Sequence, residues 1–111
     1  MKLSYTKEDG ALVVRIDGEI DHHTAQSLLA SINTLLDIQH PLSIILDFSA
    51  VGFMDSSGIA VILNCHRRMK ELGGKLEVVE VANQAKRVLS AAGLDRLMKI
   101  SYGGATYEGN Q

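Results

Sequence analysis

The segment Asp55-Ser56-Ser57-Gly58 is the best equipped for chemistry in this sequence. It stands just before an apolar, helically spaced stretch, so it reads as the start of a helix. A serine at that position has its hydroxyl near unpaired backbone amides and the positive end of the helix dipole. A phosphate ester formed there gains local amide contacts and sets about two negative charges on the surface at neutral pH. The module would stay folded while its docking face changed sign. The same four residue types are also ordinary capping chemistry, and local sequence alone favours that plainer role.

The other reactive residues support less. A serine nucleophile needs a base and an oxyanion hole. The elbow Gly-x-Ser-x-Gly is absent, because Gly52 is at the wrong distance from either serine. His22 or His23 as a base for Ser56 stays open, but a chain this small lacks insertions to wall off a pocket, and no enzyme is expected. Adjacent His22 and His23 on a helix would point about 100° apart, poor geometry for shared metal ligation. His40 and His66 have no partner at ligand spacing, so no metal or other cofactor is expected. Asp47 ends an apolar strand, where a receiver domain holds its phosphoacceptor aspartate. Such a site needs further acidic metal ligands near the first strand, and Asp9 falls in a hairpin turn instead. The one cysteine, Cys65, excludes an internal disulfide and fits a reducing compartment.

These residues must be positioned by a small framework. The 111 residues suit one domain spanning 1–111. Leu3–Lys7 and Leu12–Asp17 read as strands around the Asp9-Gly10 hairpin signal, the second closed by Gly18. Asp21-His22-His23-Thr24 opens a helix whose stripe is Ala25, Leu28, Leu29, Ile32, Leu35 and Leu36, and Pro41 lies beyond its end. Leu42–Leu46 suits a central strand covered on both faces, ended by Asp47, with a loop through Val51-Gly52-Phe53-Met54. A second helix runs from about Ser57 to Leu72 with an inner stripe of Ile59, Ile62, Leu63, His66 and Met69, and Gly73-Gly74 ends it. Leu76–Val81 is a further strand. Asn83 caps a third helix carrying Ala85, Val88, Leu89 and Ala92 that stops at Gly93. Lys99–Tyr102 is a last strand, and 103–111 is expected to be a frayed, flexible tail. The order β-β-α-β-α-β-α-β implies an α/β fold with a mostly parallel sheet and right-handed crossovers. In such sheets regulatory groups gather at the carboxyl ends of the strands, where Asp55-Ser56-Ser57-Gly58 falls.

Charge and hydropathy narrow the classes further. The net charge is −2, with apolar residues at 46% and charged residues at 22%. The two signs are mixed along the chain, so the basic face needed for nucleic acid is absent. No apolar run approaches membrane-spanning length, and the first residues lack a signal-peptide core. No nucleic-acid or membrane partner is expected.

Two segments, Gly18-Glu19-Ile20-Asp21-His22-His23-Thr24-Ala25 and Phe53-Met54-Asp55-Ser56-Ser57-Gly58-Ile59, resemble the signatures of the anti-sigma factor antagonists, the stand-alone STAS domains of bacteria. Gly73-Gly74-Lys75-Leu76 and the stretch from Ala85 to Leu94 resemble that family too, in the same order. The resemblance covers about Leu12 to Ile100. It implies a STAS fold, with a mixed, mostly parallel sheet of about four to five strands and three to four helices. The phosphorylated serine in the family directly follows the motif aspartate, which is Ser56 here; Ser57 is the neighbouring hydroxyl. The resemblance implies two partners, an anti-sigma factor with serine kinase activity and a serine phosphatase of the PP2C type; a cytoplasmic location is expected from the lone Cys65 and the missing signal-peptide core. The unmodified chain would bind the kinase and free its sigma factor, and phosphorylation would end that binding. The surface around Ser56 would comprise Asp21, His22, His23, Asp55, Ser57, Gly58 and Ile59. Asp21 would offer a carboxylate to a partner arginine, and Gly58 would admit a partner backbone. Which sigma factor is controlled, in sporulation or in a stress response, stays open. Ala60 and Asn64 depart from the glycines common in the family, and 103–111 looks too short and polar for its final helix.

Overall fold

The computed structural model describes residues 1–103. Five strands, β1 (Lys2–Glu8), β2 (Ala11–Ile20), β3 (Ser43–Met54), β4 (Lys75–Val79) and β5 (Lys99–Ile100), form one sheet in the spatial order of the sequence. β1 pairs antiparallel with β2, and every other pairing is parallel. Helices α1 (Ala25–Gln39), α2 (Ser57–Glu71) and α3 (Asn83–Ala91) occupy the crossovers, and a 3₁₀ turn at Leu94–Arg96 precedes β5. The expected element order and α/β class therefore hold.

Every crossover advances in the same direction along the sheet, so right-handed connections put all three helices on one face. Burial agrees. Leu12, Val14 and Ile16 of β2 and Ile44, Leu46 and Phe48 of β3 are buried, whereas Arg15, Asp17 and Ser49 between them are exposed. The expectation that the central strand is covered on both faces is thus corrected: Ser43, Ile45 and Asp47 look out from a partly open face.

β2 and β3 are both longer than their sequence suggests. Gly18 does not close β2. It adopts φ +133°, a conformation L side chains rarely take, within an irregular stretch where the register with β3 shifts. Pairing resumes beyond it, with Glu19 opposite Phe53 and Ile20 opposite Met54. Asp47 therefore lies inside β3, and Val51-Gly52-Phe53-Met54 is strand instead of loop. Asp47 accepts from the Ser49 amide at 2.9 Å and sits 3.8 Å from Arg15, an in-strand role unlike that of a phosphoacceptor at a strand end.

Two stripes are also revised. The inner face of α2 is Gly58, Val61, Ile62, Cys65 and Met69, whereas Leu63 is exposed and His66 half-buried. Gly58, which has no side chain, lets the start of α2 lie close against Met54 and Ile20. Burial pushes the Cys65 thiol up to about 12 against the opposing pull of Arg68, so it is an inert packing residue. α3 begins at Asn83 itself, with Ala82 preceding it, and Ala92 is exposed.

Asn64 has a definite use. Its amide donates to Asn33 Oδ1 on α1 at 2.8 Å, and Arg68 reaches the same oxygen at 3.2 Å and Asp37 at 2.6 Å. This polar clamp joins α1 to α2. Among the described residues no helix is long and apolar enough to cross a membrane. The expected tail lies, apart from Gly103, outside the described residues, as does the question of a final helix.

Candidate functional site

The parallel pairing of β2 with β3 brings two loops together at the carboxyl end of the sheet. Ile20 and Met54, the last residues of these strands, are register partners, and the Asp55 amide donates to the Ile20 carbonyl at 3.0 Å. Residues 21–24 and 55–56 are therefore neighbours, as the sequence motifs require.

Asp55 performs the capping of α2. Its Oδ1 accepts from the Ser57 amide at 2.8 Å, and its carbonyl accepts from Gly58 at 3.1 Å. Ser56, at the N-cap position with φ −63° and ψ −15°, makes no side-chain cap hydrogen bond and is exposed. Its carbonyl accepts from Ile59 at 3.1 Å. The amides of Ser57, Gly58 and Ile59 are thus already engaged. The expected pool of unpaired amides around the hydroxyl is smaller than a bare helix start suggests. A group added to Ser56 Oγ projects into solvent beside the Asp55 carboxylate. Ser57 is half-buried.

Asp21 to Thr24 precede α1 as a turn, so the expectation that they open the helix is corrected to Ala25 as the first helical residue. Asp21 Oδ1 accepts from the amides of His23 at 2.9 Å and Thr24 at 3.1 Å, while the Asp21 amide donates to Thr24 Oγ1 at 3.0 Å. Thr24 Oγ1 in turn donates to the Glu19 carbonyl at 2.8 Å. Partial desolvation raises the Asp21 pKa, but the two amides, the Thr24 hydroxyl and nearby His23 together hold it below its ordinary 3.8. The folded-state value is depressed, so its contribution is present above pH 3.8 and is lost as pH falls through the folded value. An NMR titration of the Asp21 carboxyl is expected to show a midpoint below 3.8; a midpoint at or above it contradicts the hydrogen bonding described. His22 and His23 are both exposed, their rings meeting edge to face at 4.5 Å.

Gly58 does not lie on the surface. It is buried, and a Cβ there would stand 2.6 Å from Met54 Cγ and Sδ and 3.2 Å from Ile20 Cγ2. Its missing side chain admits the ends of β2 and β3, not a partner backbone. Gly58→Ala gains about 1 kcal/mol of helix propensity but overpacks a filled site at a cost of about 1–3 kcal/mol. A net loss of about 1 kcal/mol is expected, read as a drop in melting temperature of about 5 °C; an unchanged or higher melting temperature contradicts the packing. Ile59 is half-buried against the core.

Two contributors escaped the sequence reading. Gln84, in the first turn of α3, accepts from the Met54 amide and donates to the Met54 carbonyl, both at 2.8 Å. β4 pairs with β3 only as far as Asp47 opposite Val79, so the end of β3, paired with β2 on one side, has no strand on its β4 side. The Gln84 amide satisfies those backbone groups in its place. The only sequence signal was a primary amide at a helix start, which does not reveal a contact 30 residues away. Phe53 is 40% exposed, an aromatic edge two residues before Asp55.

A single strand order, one helical layer and two paired loops at the carboxyl ends of β2 and β3 define the class. The STAS domain model matches residues 2–104, and the chain belongs to the STAS domain family. The chain is 34% identical over 91 residues to an anti-sigma F factor antagonist of Paenibacillus polymyxa, covering 82% of this chain and 78% of that protein. It is 28% identical to an anti-sigma-B factor antagonist of Bacillus subtilis, covering 86% and 85%. Among solved structures, an anti-sigma factor antagonist from Mycobacterium paratuberculosis superposes with a TM-score of 0.81 at 27% identity, covering 90% of this chain and 84% of that one.

Proposed function

We propose that this chain is an anti-sigma factor antagonist, a cytoplasmic interaction module with no catalytic role, switched by phosphorylation of Ser56. The unmodified form binds an anti-sigma factor that is also a serine kinase, and so releases the bound sigma factor. That kinase transfers the γ-phosphoryl group of ATP to Ser56 Oγ, with the serine proton and ADP leaving. A phosphatase of the PP2C type hydrolyses the ester and restores the active form. The names of the relatives support the antagonist role.

One observation supports the choice of serine above the others. Ser56 is exposed at the head of α2 with no side-chain cap hydrogen bond, because Asp55 does the capping. Modification there costs the fold no internal contact. The docking surface we assign is Asp21, His22, His23, Asp55, Ser57 and Ile59 around Ser56, with exposed Phe53 added. Gly58 shapes that surface from beneath by letting α2 pack closely on Ile20 and Met54. The amides nearest Ser56 are engaged, so the phosphate acts on the partner through its charge and bulk instead of being absorbed by its own helix.

The test is a pull-down and transcription assay with the anti-sigma kinase that this proposal requires. The unmodified chain is expected to bind the kinase with ADP present, where no phosphoryl transfer occurs, and to restore transcription by the inhibited sigma factor. Absence of both binding and restored transcription overturns the proposal.

A further inference from the structure

The opposite end of the molecule carries a cleft of about 480 Å³. It lies where the C-terminal turn of α2 meets the starts of β4 and β5. Its lining includes four cations, Lys70, Lys75, Arg96 and Lys99, with Leu76 and Met98 as apolar floor and no carboxylate among the lining residues. The concentration of charge is unusual for this chain. Four of its 11 Lys and Arg residues gather round one depression in a protein of net charge −2. Lys99 stands 3.8 Å from Glu77. Lys70, Lys75 and Arg96 form no ion pair among the described residues. Like charges held together without counter-charges repel one another, a cost that an anion in the cleft removes. The 15-residue helix α2 separates this cleft from Ser56 by roughly 22 Å, so the two sites do not overlap.

We propose that this cleft is a binding site for a phosphate monoester with an apolar substituent. The phosphate would sit among Lys70, Lys75 and Arg96, and the substituent against Leu76 and Met98. Arginine accepts phosphate in bidentate fashion, and lysine meets it as a point charge. His66, also in the lining, is half-buried at the α2 side. Such an ester can be a soluble metabolite or the headgroup of an anionic lipid, and the experiment separates the two.

The test uses ¹⁵N-labelled full-length protein and two probes, phenyl phosphate in solution and vesicles of phosphatidylcholine containing phosphatidic acid. Phenyl phosphate is expected to shift amides in 66–76 and 96–99, to bind more tightly than inorganic phosphate, and to weaken with added salt. The double charge reversal Lys75→Glu/Arg96→Glu, at two exposed positions, is expected to weaken binding by at least about 10-fold. Single Lys75→Ala and Arg96→Ala variants serve if the double variant does not fold, each with a loss of about 3-fold. Vesicle co-sedimentation lost in the same variants, without phenyl phosphate shifts, assigns the site to the lipid source. No response to either probe, or a response equal in parent and variants, overturns the proposal. Because none of these residues belongs to the Ser56 surface, failure here leaves the antagonist reading untouched.

Discussion

Phosphorylated at Ser56, the protein is expected to bind the proposed anti-sigma kinase at least about 100-fold more weakly than the unmodified form, with a melting temperature within a few degrees of it. Placing a dianion in an interface built for a neutral hydroxyl, opposite acidic or apolar partner groups, costs several kcal/mol, and about 3 kcal/mol corresponds to a factor of about 100. The fold contributes little to that loss. Ser56 Oγ has no cap hydrogen bond to surrender, and the Ser57 amide stays with Asp55. Ser56→Ala should bind at the level of the unmodified protein and resist inactivation by ATP. Ser56→Asp should fall between the two states, since one carboxylate carries about half the charge of phosphate at neutral pH. Equal affinity of modified and unmodified protein, measured by titration calorimetry with the kinase, contradicts the electrostatic account.

Gln84→Ala should be strongly damaging although Gln84 lies outside the hydrophobic core. Met54 is fully buried, and its amide and carbonyl both bond to the Gln84 side chain. Truncation strands two buried backbone groups at about 1–3 kcal/mol each. A loss of about 3 kcal/mol is expected, some 10–15 °C in melting temperature for a domain of this size. The damage should also reach function, because Met54 precedes Asp55 and supports Gly58. Gln84→Glu retains the acceptor and loses the donor, so an intermediate loss is expected. Thermal unfolding by circular dichroism checks the series; a loss under 1 kcal/mol for Gln84→Ala means the end of β3 is held by something else.

The element order, the parallel sheet and the nearness of Asp21 to Ser56 were legible because they follow from local pattern and connection rules. Apolar periodicity fixed α1 and the existence of α2, whereas the single helical layer was not legible, the central strand having read as covered on both faces. What was not legible depended on contacts distant in sequence. Gly18 reads as a stop in isolation, yet its positive φ is absorbed within an irregular stretch whose pairing resumes beyond it, which carries β3 on to Met54. The buried face of α2 includes the small Gly58 and Cys65 and leaves the larger Leu63 exposed, which side-chain size alone does not reveal. Gly58 was read as an opening for a partner, and only the position of the Met54 and Ile20 side chains shows which way it faces. Asp55 and Ser56 are both good capping residues, and three-dimensional geometry was needed to assign the cap to the aspartate and free the serine.

The most direct measurement is tandem mass spectrometry of the protein after incubation with the proposed anti-sigma kinase and ATP. A single added phosphate on Ser56, absent from Ser56→Ala and present in Ser57→Ala, is the expected result. Phosphate on Ser57, or undiminished labelling of Ser56→Ala, would mean that the free hydroxyl at the head of α2 is not the switch.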